Sequence, residues 1–230
     1  MKINILTLFP DYFESFKTQS IIAKGINLGH IEINVINFRD FSKEKHHKVD
    51  DTPYGGGDGM LLQIEPIDLA LQSLAKPSHK ILISPQGQTF NQKKAHELSK
   101  FEEITLICGH YEGFDERISY LVDEELSIGD YILTGGEIPA MIISEAVARL
   151  VPGVLKKGSH QQESFENEGW LDFPQYTRPA DYKGWKVPEV LLSGDHAKIA
   201  KWREDNARLN TKIKRPDLYE KLTKGENNES

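Results

Sequence analysis

Four glycine-rich segments carry the residue types best suited to chemistry: Asp50–Met60, Ser84–Gly87, Cys108–Gly113 and Ser127–Glu137. Glycine lets the backbone approach a ligand closely, so these segments can present N–H and C=O groups to a bound molecule. The last three lie at or beyond the ends of predicted strands, and open α/β sheets bind ligands outside the carboxyl ends of their strands. If these loops converge, their backbone groups would suit an adenine and a ribose, although each segment alone is equally compatible with an ordinary turn.

The spacing of Gly55, Gly57 and Gly59 invites a comparison with dinucleotide-binding loops. Those loops follow a strand directly and open a helix. Here the residues Asp50–Tyr54 precede the glycines, and they are typical of a turn. The chain also contains no Walker A pattern, so phosphoryl transfer is unsupported.

Apolar periodicity predicts alternating strands and helices, and therefore a parallel sheet with helices on its faces. The predicted strands are Ile3–Phe9, Ile31–Phe38, Lys80–Ser84, Glu103–Cys108 and Tyr131–Leu133. The predicted helices are Asp11–Lys24, Glu65–Ala75, Gln92–Ser99, Asp115–Val122, Ile138–Leu150, His196–Lys212 and Pro216–Leu222. The polar, glycine-bounded segment Gly158–Gly169 interrupts this pattern and predicts a linker.

Composition points to a globular cytoplasmic protein. A membrane helix needs about 20 consecutive apolar residues, and no run of the sequence approaches that length. The N-terminal residues do not resemble a signal peptide. The single cysteine, Cys108, excludes a disulfide framework and a multi-cysteine zinc site. The net charge is −7, but residues 171–230 hold 12 Lys and Arg against 10 Asp and Glu. This relatively basic tail is either chance or a helical region that meets phosphates.

Long motifs in sequence order resemble the tRNA (guanine-N1)-methyltransferases of the TrmD type, in the SPOUT superfamily. The resemblance spans about residues 3–220. Its motifs are Leu-Phe-Pro (8–10), Val-Asp-Asp-Thr-Pro-Tyr-Gly-Gly-Gly-Asp-Gly-Met (49–60), Ser-Pro-Gln-Gly (84–87), Cys-Gly-His-Tyr-Glu-Gly-Phe-Asp-Glu-Arg (108–117), Ser-Ile-Gly-Asp-Tyr-Ile-Leu-Thr-Gly-Gly-Glu (127–137), Arg-Leu-Val-Pro-Gly-Val-Leu (149–155), Asp-Phe-Pro-Gln-Tyr-Thr-Arg-Pro (172–179) and Val-Pro-Glu-Val-Leu-Leu-Ser-Gly-Asp-His (187–196).

The resemblance implies the fold class, an α/β parallel-sheet SPOUT domain with a deep C-terminal trefoil knot, followed by a small helical domain. The implied domains are 1–157, with the cofactor-binding knot; 158–170, a mobile interdomain linker; and 171–230, a mainly helical tRNA-binding domain. A homodimer with an active site shared between subunits is also implied, as is a cytoplasmic enzyme without a membrane partner.

The implied activity is transfer of a methyl group from S-adenosylmethionine to N1 of the guanine immediately 3′ of the tRNA anticodon. By motif, the residues that bind this cofactor are Leu82, Ile83, Ser84, Pro85, Gly87, Gly109, Tyr111, Glu112, Gly113, Ile128, Gly129, Asp130, Tyr131, Ile132, Leu133, Gly135, Gly136 and Pro139. The residues expected to contact tRNA are Asp51, Gly59, Asp172, Arg178, Arg203 and Arg215.

Methylation of guanine N1 needs a base to remove the N1 proton and a donor for the charge that develops on O6. The family positions for these roles fall on Glu163 and Arg149, with Asp172 as the competing base or a tRNA contact. The family also suggests dependence on Mg²⁺, for which the sequence shows no evident site.

Two positions depart from the pattern of many relatives. His110 stands where they carry Arg, and it is a weaker cation at neutral pH. Glu163 stands where they carry Asp before Ser-Phe, in a linker that is one residue shorter than in some relatives. The longer side chain can compensate for the shorter backbone.

Two alternatives remain open from the sequence. The chain could be a non-catalytic RNA-binding module with an empty knot, which measurement of S-adenosylmethionine binding would reveal. It could also be a related SPOUT enzyme that acts on ribosomal RNA or on a ribose 2′-hydroxyl, which mapping of the methylated nucleotide would reveal.

Overall fold

The structure, a computed structural model, describes residues 1–156, 158, 162–166 and 168–226. The chain divides into two compact units, unit 1 (Met1–Lys157) and unit 2 (Gly158–Ser230). Across the described residues, no helix combines the length and apolarity that a membrane span requires.

Unit 1 is built on a five-stranded sheet with the order β2-β1-β6-β5-β7. Its strands are β1 (Lys2–Thr7), β2 (Glu32–Asn37), β5 (His79–Thr89), β6 (Glu103–Ile107) and β7 (Glu124–Ser127). All neighbouring pairs in this sheet are parallel. The parallel sheet predicted from the alternation of strands and helices is therefore confirmed. Two short strands, β3 (Asp50–Asp51) and β4 (Leu61–Leu62), form a separate antiparallel pair around the first glycine-rich segment.

Helices cover both faces of the sheet. They are α1 (Glu14–Thr18), α2 (Ser20–Asn27), α3 (Ile64–Gln72), α4 (Gln92–Leu98) and α5 (Glu137–Ala148). Successive strand residues point to opposite faces. Ile5 accordingly packs in a core with Ala140 and Ile143 of α5, whereas its neighbour Leu6 packs with Ile67 of α3. This two-sided burial explains why the central strands are nearly continuous apolar runs.

Two predicted elements of unit 1 are wrong. The single helix predicted over 11–24 is a 3₁₀ turn (Pro10–Phe13) followed by α1 and α2, because Gln19 is extended (φ −118°, ψ 152°) and separates the two helices. The strand predicted at Tyr131–Leu133 is an exposed loop. The strand of that region is β7, and Gly129 (φ 145°) turns the chain away directly after it.

Unit 2 contains α6 (Glu189–Leu192), α7 (His196–Lys214), α8 (Pro216–Glu226) and a hairpin of β8 (Asp181–Tyr182) and β9 (Trp185–Lys186). The side chain of Asp195 caps α7 by accepting a hydrogen bond from the N–H of Lys198 (3.1 Å). Trp170 is 4% exposed, and its ring lies 5.8 Å from that of Tyr219 on α8. Trp170 therefore anchors the start of this unit to its helices.

The predicted linker 158–170 is described in part, since residues 159–161 and 167 lie outside the described residues. The described part belongs to unit 2 and is held by hydrogen bonds within that unit. The N–H of Phe165 donates to the C=O of Trp170 (2.8 Å), and the N–H of Asp172 donates to Oγ of Ser164 (2.9 Å).

Candidate active site

A cavity of about 560 Å³ lies in unit 1, where the carboxyl ends of β5, β6 and β7 meet. Three segments form its walls: 82–86, 109–114 and 127–136. Its volume falls within the about 300–1,000 Å³ of typical small-molecule sites. Parallel strands place their carboxyl ends at one edge of a sheet, which is the reason these distant segments of sequence converge.

The first wall is a bulge in β5. Leu126 of β7 pairs with both Ile83 and Gln88, so the intervening residues leave the ladder, and Ser84, Pro85 and Gln86 line the cavity. The N–H of Gln86 donates to Oγ of Ser84 (3.1 Å), which fixes the turn. Gly87 lies outside the lining, because it packs against the backbone of β7. A Cβ at this position would be 2.5 Å from the carbonyl carbon of Glu125.

The second wall follows β6 and is joined to the first glycine-rich segment. The N–H of Glu112 donates to the C=O of Met60 (3.1 Å), and the N–H of Leu62 donates to the C=O of Gly113 (2.9 Å). Gly59 has φ 88°, and a Cβ there would collide with the side chain of Glu112. Gly59 therefore allows two loops to pack closely, with its backbone against the side chain of Glu112, which lines the cavity.

The third wall runs from the end of β7 to the start of α5. Oγ of Ser127 accepts a hydrogen bond from the N–H of Gly129 (3.2 Å), and the N–H of Gly136 donates to the C=O of Gly109 (2.9 Å). A Cβ on Gly136 would be 2.7 Å from Cα of Cys108, which is closer than real side chains come. Glycine at this position thus allows the second and third walls to touch through their backbones.

A buried carboxylate lies behind these walls. Glu137 is 4% exposed at the first turn of α5, where the partial positive charge of a helix N-terminus favours an anion. Its Oε1 accepts a hydrogen bond from the hydroxyl of Thr7 (2.8 Å). Burial, and secondarily the charge of Glu137, raises the pKa of the Cys108 thiol well above its usual value. Cys108 is therefore a protonated packing residue and not a nucleophile.

His110 lines the cavity with its ring packed beside Phe9, at 4.7 Å between centroids. Its Nδ1 is buried and lacks a hydrogen-bond partner among the residues that the structure describes. A Cβ on Gly135 would be 2.7 Å from this nitrogen. The imidazole of His110 therefore fits closely in the space between two loops.

Sixteen of the eighteen residues expected to bind the cofactor line this cavity, the exceptions being Gly87 and the exposed Asp130. The lining also includes residues that the sequence reasoning did not assign, namely Gln86, His110, Phe114, Glu116, Ile118, Glu125, Ser127 and Thr134. Most of them lie within the same motifs, so treating each motif as a continuous wall would have found them. Ile118 and Glu125 belong to flanking elements, and no motif pointed to them.

Acidic side chains are a feature of this lining. Glu112, Glu116 and Glu125 all contribute to it. Their carboxylates favour a ligand that carries positive charge. Across the described part of the chain, no three His, Cys, Asp or Glu side chains are grouped so that they could hold a metal ion.

The residues expected to carry the chemistry fall in different units. Arg149 is half-buried at the C-terminal end of α5 in unit 1, and Glu163 and Asp172 are half-buried in unit 2. Both carboxylate oxygens of Asp172 accept hydrogen bonds, Oδ1 from the N–H of Phe173 (2.8 Å) and Oδ2 from the side chain of Gln175 (2.6 Å).

In unit 1, the expected tRNA contact Asp51 is exposed in β3. The N–H of Thr52, and then the ammonium of Lys48, lower the pKa of its carboxyl.

The expected tRNA contacts of unit 2 include three arginines. Arg178 and Arg203 line a groove of about 480 Å³, and the guanidinium of Arg203 lies 4.9 Å from the ring centre of Phe173. Arg215 is exposed and forms two hydrogen bonds with the carboxylate of Asp217 (2.9 and 2.7 Å).

Comparison with known proteins decides the family. Residues 1–221 match the family described as tRNA (guanine-1)-methyltransferase TrmD. The chain belongs to this family. Relatives named tRNA (guanine-N(1)-)-methyltransferase include one from Metamycoplasma arthritidis, 72% identical over 96% of both chains. Others are from Mycoplasmopsis agalactiae, 60% identical over 96% of this chain and 98% of the relative, and Lactobacillus helveticus, 53% identical over 96% and 92%. The expectation that the chain is a methyltransferase is thus confirmed.

Proposed function

We propose that this enzyme transfers the methyl group of S-adenosylmethionine to N1 of the guanine immediately 3′ of the tRNA anticodon. The observation that carries the proposal is the cavity at the carboxyl ends of β5, β6 and β7, in a chain that belongs to the TrmD family. Such an enzyme would work in the cytoplasm, where its tRNA substrate is found.

The cavity has the properties that this cofactor requires. Its volume suits a nucleoside with a short side chain, and its backbone-rich walls can hydrogen-bond an adenine and a ribose. The carboxylates of Glu112 and Glu116 suit the positive charges of a sulfonium and an ammonium group. When bound, S-adenosylmethionine supplies an electrophilic methyl group that needs no further activation by the protein.

The work left to the side chains is alignment and proton handling. We assign Glu163 as the base that accepts the N1 proton and Arg149 as the donor to the developing charge on O6. Asp172 is the alternative base. Its two oxygens already accept hydrogen bonds within unit 2, and its N–H holds Ser164, the neighbour of Glu163. This arrangement supports a positioning role for Asp172.

The arrangement of chain and subunits is also a proposal. We infer that 82–87, 109–113 and 128–139 form the deep trefoil knot of the family. The direct hydrogen bond between the backbones of Gly136 and Gly109 supports it. A homodimer would join Arg149 of one subunit to Glu163 of the other. The exposed apolar side chains of Ile132, Leu133, Ile138 and Ile142 in unit 1 support such a contact.

Unit 2 is assigned to tRNA. Residues 158–170 would link the units and order around the target guanine, and 171–230 would bind the tRNA through Arg178, Arg203 and Arg215, with Asp51 and Gly59 contributing from unit 1. The family's suggested Mg²⁺ has no residues assigned to it, and no step of this proposal depends on it.

The test is a methylation assay on unmodified tRNA transcripts. One transcript carries guanine directly after the anticodon, and a matched control carries adenine there. We expect N1-methylguanine in the first only, detected by nucleoside mass spectrometry and by a reverse-transcription stop at that nucleotide. Methylation of a ribose, or of another nucleotide, would overturn the proposal in favour of a related SPOUT activity. Cofactor binding without methylation of tRNA would favour the non-catalytic alternative.

A further inference from the structure

The β8–β9 hairpin of unit 2 has a well-defined turn. Lys183 and Gly184 form its two-residue loop, and both have positive φ (55° and 88°), as the tight hairpin turns that match strand twist require. The N–H of Gly184 donates to Oδ1 of Asp181 (2.9 Å), and the N–H of Val187 donates to the C=O of Ala180 (2.9 Å). The turn is therefore closed by its own hydrogen bonds and presents its side chains in fixed directions.

Two aromatic rings share one face of this hairpin. Tyr182 and Trp185 are directly paired across the strands, so their side chains project to the same side. Their ring centroids are 6.0 Å apart with planes at 50°. Trp185 is 74% exposed and Tyr182 is 53% exposed, in contrast to the nearly buried Trp170 of the same unit. A Trp this exposed contributes little to the core of its unit and is instead available for contact with a partner.

The charges of the hairpin indicate which partner. The ammonium of Lys183 lies 5.3 Å from the ring centre of Tyr182, and Lys186 follows Trp185 on β9. The one acid of the hairpin, Asp181, is engaged in closing the turn. Exposed rings flanked by lysines combine a stacking surface for a base with cations for the adjacent phosphates. A purely apolar partner would offer no negative charge to the ammonium groups of the two lysines.

We propose that the hairpin is an RNA-stacking element, in which Tyr182 and Trp185 take an unpaired base of the tRNA and Lys183 and Lys186 contact its phosphates. The identity of the RNA as tRNA rests on the proposed function. The hairpin would act on the affinity for tRNA and not on the chemical step.

The first test measures tRNA affinity for Trp185→Ala and Tyr182→Ala by filter binding at low salt. Stacking on one base supports a loss of at least ~5-fold in affinity for each variant. Trp185→Phe should retain most of the affinity, since it keeps an aromatic face. The matched control is Ile213→Ala, which removes a 69% exposed apolar side chain of α7 in the same unit and should bind normally.

The second test separates stacking from a structural role. At saturating tRNA and cofactor, Trp185→Ala should keep the single-turnover methylation rate of the wild-type enzyme. The intrinsic fluorescence of the wild type should be quenched when tRNA binds, and Trp185→Phe should lose the part of that quenching that comes from Trp185.

Three results would overturn the stacking proposal: wild-type tRNA affinity in both alanine variants, an equal loss in Ile213→Ala, or a change in oligomeric mass in place of a change in tRNA affinity. These results differ from failure of the proposed function. A wild-type enzyme that binds tRNA through Trp185 but methylates nothing would refute the activity alone. An enzyme that methylates tRNA, and whose affinity for tRNA is the same with and without the Trp185 and Tyr182 side chains, would refute the hairpin proposal alone.

Discussion

The cavity of unit 1 and the hairpin of unit 2 are built in contrasting ways. The cavity is enclosed by backbone, since Gly109 and Gly136 bring two walls into direct hydrogen-bonded contact. The hairpin presents side chains, with Trp185 and Tyr182 projecting from a short turn whose backbone is already satisfied. Ligand binding in a cavity enclosed by backbone is sensitive to any added atom. A surface of projecting side chains loses only the binding free energy of the side chain that is removed.

This contrast predicts how the two units share the work. Unit 1 should decide whether the cofactor binds at all, because a larger residue in place of its closely packed glycines would displace the cavity walls. Unit 2 should decide affinity for tRNA by increments, because its arginines and aromatic rings act one at a time. Glu163 is the exception in unit 2, since a proposed base acts on the chemical step and not on affinity.

The largest expected effect tests that exception. Glu163→Gln keeps the shape and the hydrogen bonding of the side chain but cannot accept a proton at N1. We expect the single-turnover rate to fall by at least ~10²-fold, the low end for general base catalysis, with little change in tRNA or cofactor affinity. The measurement is methylation with saturating enzyme, which separates chemistry from binding.

Asp172→Asn is the matched control for Glu163→Gln. Asp172→Asn keeps the backbone N–H that holds Ser164, and Asp172 is an expected tRNA contact, so the change should appear mainly as weaker tRNA binding. A near-normal rate in Glu163→Gln together with a lost rate in Asp172→Asn would transfer the role of base to Asp172.

The next effect in size tests the backbone-built cavity. A Cβ on Gly109 would be 2.7 Å from the ring of Phe114, which also lines the cavity, so Gly109→Val should push that ring into the space for the ligand. We expect the cofactor affinity, measured by calorimetry, to fall at least ~10-fold, equivalent to about 1.4 kcal/mol. Leu28→Ala, a change at an exposed residue outside the lining, serves as the control. Unchanged affinity in Gly109→Val would show that the walls yield more than their packing indicates.

Much of the fold could be predicted from the sequence because the strands of unit 1 are buried on both faces. Ile3–Leu6 and Ile104–Ile107 are apolar apart from Asn4 and Thr105, and this local composition indicates buried strands. The prediction of a strand at Tyr131–Leu133 was wrong because local composition cannot separate a buried strand from an exposed apolar loop. Here the apolar run lines a cavity as an exposed loop. Gly129, with its positive φ, distinguishes the two cases only once the chain path is known.

The lining of the cavity was predictable to the extent that glycine spacing indicates close approach of the backbone. Gly109, Gly135 and Gly136 line the cavity as expected. Gly87, which lies in a similar glycine-containing motif, packs against β7 instead. Nothing local distinguishes a glycine that faces a ligand from one that faces a strand. The hairpin of unit 2 was missed because each of its strands has two residues, too few to show alternation.

The smallest effect concerns the edge of unit 2, where Arg215 is held by Asp217. Hydrogen bonding from the Arg215 guanidinium lowers the pKa of Asp217 from 3.8 to about 2. The pKa is lower in the folded than in the unfolded state, so the ionised pair stabilises the fold above about pH 4, and this stabilisation is lost as the pH falls toward 2. Asp217→Asn should therefore be slightly less stable than the wild type at pH 7, with the difference shrinking between pH 4 and 2. Denaturant unfolding at pH 7, 4 and 3 measures this difference in stability.

Glu220→Gln, which removes an exposed carboxylate 3.4 Å from Lys224 on α8, is the control and should change stability less at pH 7. A difference between Asp217→Asn and the wild type that stays constant down to pH 3 would show that the pair does not hold the start of α8. Arg215 would then be available to the phosphates of tRNA without losing a partner.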